Sequence, residues 1–165
     1  MSNPLDAQTL RLLSYEIDML RATATLCSRY ADLPGAESNA FLESFLVHYR
    51  ILAEFLTKQH KGRCKDQILA TDFLYQVPIS KTDPISINRT KCDQWVAHLS
   101  RFRNPANRPA WPFAVMCNEI TQALADLLKK CSYDTSDQQA TRQYTKLTSL
   151  AIISSPGGTC VTGGV

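Results

Sequence analysis

The sequence predicts an all-α protein, an antiparallel bundle of about four long helices followed by an irregular C-terminal tail. Two observations carry this prediction. Four separate stretches place apolar residues three and four positions apart, the period of a helix with one buried face. Two of them open on a capping residue followed by proline, and proline-containing breaks separate them. The chain has 165 residues, enough for one domain that buries about two-thirds of its unfolded surface. Apolar residues make up 44% and charged residues 20%, values that exclude wholesale disorder.

The first helix is predicted from Pro4 to Ala31. Asn3 can cap free N–H groups, and Pro4 needs no N–H at the first helical position. Its stripe is Leu10, Leu13, Ile17, Leu20, Ala24 and Cys27, widened by Leu12, Met19 and Leu26. Pro34-Gly35 breaks the pattern.

The second helix is predicted from Ser38 to Lys58. Phe41, Phe45, Tyr49, Leu52 and Leu56 lead an apolar arc covering about half of its circumference, which Val47 and Ile51 extend. So broad a face predicts a central helix. Glu43, Arg50 and Glu54 line the polar strip, so Arg50 is expected to pair with Glu43 or Glu54.

Residues 59–82 read as a connection with a short helix over Asp66–Tyr75. The third helix opens on Asp83-Pro84 and is predicted to reach Arg103. Residues 85–87 could instead be extended, with the helix starting near Asn88. The fourth, Pro112 to Ser132, has the cleanest stripe, from Phe113 through Ile120 and Leu124 to Cys131. These elements predict a bundle domain over 1–133. Residues 134–165 read as a tail with room for one loose helix, docking through Leu150, Ile152 and Ile153.

No apolar run reaches the roughly 18 residues that a bilayer span needs, and the N-terminus lacks a signal-peptide pattern. The expectation is a cytoplasmic protein without a membrane partner. The six cysteines are scattered without a CxxC, and four of them fall on apolar stripes. They are expected to be reduced and structural.

Charge is uneven. Residues 57–109 carry ten Lys and Arg against four Asp and Glu, while the rest carry eight against eleven. A basic middle section can attract a polyanion, although a solvated face would look the same.

Phosphate-binding glycine loops, HExxH, paired CxxC and GxSxG are all absent. His60 and Cys64 have metal-ligand spacing but lack a second pair, so neither a metal nor a cofactor is expected. The chemistry-bearing candidates are therefore few. His98 could move protons near neutral pH, and Arg101, three residues on, could grip a phosphate through two N–H groups. His48, Arg50 and Asn88 are candidates for binding or orienting. His48 and Arg50 lie about 200° apart around their helix and cannot share a face. Arg101, Arg103 and Arg108 interleave with Phe102 and Trp111, a mixture that can hold single-stranded nucleic acid.

Asn39–Leu56, NAFLESFLVHYRILAEFL, resembles the block NALLESFLLHARNLIDFL of small bacterial helical proteins. Asn88 with Val96-Ala-His-Leu-Ser-Arg101 resembles that group's second block, N…AHLTxxR. The layout is also similar to the HEPN helical superfamily, many of whose members cut or bind RNA. HEPN ribonucleases carry Arg and His on one helix with a short gap. Here eight residues separate Arg89 from His98 and nine separate Arg50 from His60, so the motif is not reproduced. The expected function is a non-catalytic interaction module with a protein partner. The alternative is a HEPN-like RNA-binding protein or ribonuclease using His98 and Arg101. A homodimer is compatible with either.

Overall fold

The computed structural model of the chain describes residues 4–30, 36–60, 66–74, 79–80, 82–97 and 110–153, with backbone alone at 96 and 97. The fold is all-α. The helices are α1 (Ala7–Arg29), α2 (Ala36–Thr57), α3 (Pro84–Cys92), α4 (Phe113–Leu128) and α5 (Gln138–Thr148). A 3-10 turn spans Ala70–Asp72, and a π-helical turn, Asp93–Ala97, continues α3. No described helix is long and apolar enough to cross a membrane.

α1 starts later than predicted. Its cap is Asp6, whose carboxylate accepts from the Thr9 N–H at 2.6 Å. Leu5 is fully buried, and its N–H donates to the Ser132 carbonyl at 2.8 Å. Pro4 and Leu5 are thus held alongside the chain after α4, and the helix cannot begin until Asp6. At α3 the predicted cap holds: Asp83 accepts from the Ile85 N–H at 2.9 Å, and Pro84 opens the helix. Residues 85–87 are therefore helical rather than extended.

α2 is central, packing against α1, α3 and α4. Phe45, Tyr49, Leu52 and Leu56 have no exposed surface. Phe45 meets Phe113 of α4 edge-on at 5.0 Å and stacks on Tyr49 at 6.1 Å. The predicted helix over Asp66–Tyr75 contracts to the single 3-10 turn, where Asp72 accepts from the Leu69 N–H at 2.9 Å.

The described part of the predicted tail is built into the bundle. α5 packs on α1 and α4, with Ala140 and Leu147 in the shared core. Lys146 reaches α1, contacting Asp18 and donating to Ser14 Oγ at 3.0 Å. Leu150 and Ile153 pack on the core, whereas Ile152, predicted to dock with them, is 66% exposed.

Candidate functional site

α2 distributes its polar side chains to different neighbours. His48, on the side facing α1, places Nδ1 2.7 Å from Glu16 Oε2, with both groups largely buried. The edge of the Tyr15 ring meets the His48 ring at 6.0 Å. A carboxylate on Nδ1 fixes the imidazole's orientation, as in acid–base dyads, but also makes a plain tie between two helices.

Arg50 points the other way and pairs with Asp93, the first residue of the π-helical turn. Glu54, one of the partners expected for Arg50, is held by Lys58 Nζ at 2.7 Å. Burial acts upward on the Glu54 carboxyl. Hydrogen bonds from Lys58 and Gln67, with the charges of Lys58 and Arg89, outweigh it and hold the group below its ordinary range. Arg89 donates from Nη1 to Thr57 Oγ1 at 3.2 Å and leaves Nε 4.0 Å from Asp93. The Arg50–Asp93 pair is partly solvated, so Arg50→Ala is expected to cost no more than about 1 kcal/mol in urea denaturation.

Asn88, on α3, lies near the hydroxyl of buried Tyr49, which sits 3.5 Å from the Ile85 carbonyl. Burial raises the Tyr49 pKa far above the usual phenol range, so it remains a neutral phenol. Burial, and secondarily Asp93, pushes the Cys92 thiol up to about 12, which leaves it protonated and poorly nucleophilic near neutral pH. Cys27 and Cys117 are also buried and Cys131 is half-buried; none of these four forms a disulfide. Cys64 and Cys160 lie outside the described residues.

On α4, Glu119 Oε2 is buried without a hydrogen-bond partner among the described residues. Burial, then the charge of Asp83, raises its pKa. A raised folded-state value means that Glu119 disfavours folding once pH climbs through its ordinary range toward the raised value. The stability of wild type relative to Glu119→Gln is therefore expected to fall as pH rises across that interval and to level off below it. Paired urea titrations on either side of the Glu range read the difference.

The structure thus brings His48 to Glu16, Arg50 to Asp93 and Asn88 to Tyr49, and gathers none of the three candidates into one constellation. His98 and Arg101 lie outside the described residues. Trp111, one of the aromatics interleaved with arginine, is buried in the core and presents no face for base stacking. Among the described residues no group of His, Cys, Asp and Glu could hold a metal ion.

The feature that sequence reasoning missed is a cavity of about 340 Å³ between α1 and α2, which residues 66–68 also line. Leu13, Leu52, Phe55 and Ile68 give it apolar walls, and Glu16, Glu54 and Asp66 also line it. Leu12 and Ile51 line it while remaining 47% and 42% exposed, and Tyr15 and Val47 continue the apolar strip at 55% and 38%. A signal was present: Leu12, Val47 and Ile51 overflow the stripes expected to be buried. Fold and site together define an all-α bundle with an apolar interhelical cleft. The chain matches no protein-family model, no curated protein and no solved structure.

Proposed function

We propose that this chain is a non-catalytic interaction module, and that its α1–α2 cleft receives an amphipathic helix of a protein partner. The observation that carries the reading is the exposed apolar strip Leu12, Tyr15, Val47 and Ile51, continuous with a cavity able to take a large apolar side chain. Exposed apolar residues gathered over a cavity are a feature of interaction surfaces, and helix-in-groove recognition uses this geometry. Glu16 and Glu54 are already partnered by His48 and Lys58. With Asp66, the three carboxylates lining the cleft still outnumber Lys58 and leave its rim acidic, which favours basic residues flanking the partner's apolar face. The described polar candidates support a structural role, since His48 ties α2 to α1 through Glu16 and Arg50 ties it to the turn after α3 through Asp93.

The test uses two synthetic amphipathic helices with the same apolar face, one flanked by lysines and one by glutamates. The lysine-flanked peptide is expected to bind more tightly, and Ile51→Glu is expected to weaken it by about tenfold or more. Equal affinity for both peptides, or indifference to Ile51→Glu, would count against the cleft. A labelled mixed-sequence RNA is titrated in parallel. Salt-sensitive RNA binding unaffected by Ile51→Glu, without peptide binding, would replace this reading with the nucleic-acid one.

A further inference from the structure

The exposed apolar strip extends along two helices. On α1, Leu12, Tyr15, Met19, Ala22 and Leu26 recur at alternating three- and four-residue spacing, and each is exposed or half-buried. On α2, Ala40, Ser44, Val47 and Ile51 repeat that spacing, again exposed or half-buried. The two rows run in opposite directions at matching levels. Leu12 and Ile51 line one cavity, and the Tyr15 ring meets the ring of His48, next to Val47. Alternating three- and four-residue spacing is the seam by which helices pack face to face.

We infer that a second copy of this chain covers the strip, the α1 and α2 helices of the two copies packing as a four-helix layer. The inference rests on the reading of the cleft as a helix-docking surface, and it names the docked helix as α1 of the second copy. A two-fold axis parallel to the helices turns α1 of each copy onto α2 of the other, antiparallel and level for level. Leu12 and Tyr15 of one copy then meet Ile51 and Val47 of the other. Charge complementarity selects this arrangement. Exposed Arg11 lies about 140° around α1 from Glu16, which faces α2, so it flanks the strip on the outer side. Glu54 lies about 120° around α2 from His48, which faces α1, and flanks the strip on its own outer side at the same end. The rotation sets outer flank against outer flank and brings Arg11 of each copy to Glu54 of the other. A two-fold axis across the helices would instead bring the Arg11 end of α1 to the end carrying Arg29, and the Glu54 end of α2 to the end carrying Glu37, like charge against like. Leu12, Tyr15, Val47 and Ile51 make a small patch beside the roughly 800 Å² per partner of a stable interface, so the dimer is expected to be of micromolar strength.

The test measures the mass of the full chain by sedimentation equilibrium from about 5 to 200 µM. A rise from one chain to two across that range is expected. Leu12→Glu and Ile51→Glu, each alone, are expected to keep the chain monomeric throughout with its helical circular dichroism unchanged. Leu12→Gln and Ile51→Gln provide the same comparison if the glutamates disturb the fold. Arg11→Glu is expected to weaken the dimer by about tenfold, and adding Glu54→Lys to recover that loss. Wild type that stays monomeric at the highest concentration yet binds the lysine-flanked peptide overturns the dimer and leaves the cleft reading standing. A dimer indifferent to both Leu12→Glu and Ile51→Glu also overturns it, because the copies would then meet elsewhere.

Discussion

Phe45→Ala is expected to cost about 3–5 kcal/mol, read as a lower urea midpoint at an unchanged slope. Phe45 has no exposed surface and stands where α2 meets α4, its ring edge-on to Phe113 and stacked on Tyr49. Truncation removes both ring contacts and leaves a void. Fully buried neighbours such as Leu46 and Met116 are already packed and cannot close in without moving their helices. A domain of this size has a total stability of about 5–15 kcal/mol, so the variant loses a large share of it. A cost below about 1 kcal/mol would mean that the α2–α4 contact is not the sealed centre of the bundle.

Leu147→Ala is expected to cost about 2–5 kcal/mol, although it lies in the segment whose sequence reads as a tail. Leu147 has no exposed surface and belongs to the same core as Leu10 and Leu124. α5 packs on both α1 and α4, so truncation opens a void in the bundle rather than at its edge. Arg142, exposed on the same helix, is the control, and Arg142→Ala should change stability by no more than about 0.5 kcal/mol. If Leu147→Ala proved as mild as the control, α5 would be an appendage and the bundle would consist of the preceding helices.

These two residues show why the sequence was read well in one place and poorly in the other. Phe45 stands in a run of apolar residues so broad that only a central helix can bury it, and the sequence predicts that position. α5 has two fully buried residues, Ala140 and Leu147, within a polar stretch. With Tyr144 they fall at i, i+4 and i+7, but a stripe of three residues, one of them alanine, is a weak signal, so the helix reads as loose. Its docking depends on surfaces supplied by α1 and α4, on the Lys146 contact with Asp18, and on Tyr144 stacking on Tyr133 at 4.1 Å. The start of α1 was misjudged for a similar reason. Asn3-Pro4 is a sound local start, but the Leu5 bond to Ser132 holds the chain out of the helix until Asp6.

The candidate site divides along the same line. The separation of His48 from Arg50 was legible, because two positions along a helix subtend about 200° whatever surrounds it. Their partners were not. Glu16 is 32 residues from His48, and Asp93 is 43 from Arg50. Glu16 could have been suspected only from its place at the border of the apolar stripe of α1, between Leu12 and Met19.

By itself the sequence determined that this chain is helical, which faces of α1, α2 and α4 are buried apart from the edge at Leu12, Val47 and Ile51, where α3 is capped, and that Cys92 and Cys117 lie inside. Each of these follows from interactions within a few residues, the i to i+4 hydrogen bond and the 3.6-residue period. Only the tertiary structure decided that α5 completes the core, that His48 and Arg50 serve different helix pairs, and that a cavity opens between α1 and α2. Those outcomes depend on how helices distant in sequence cross, and on which side chains meet where they do.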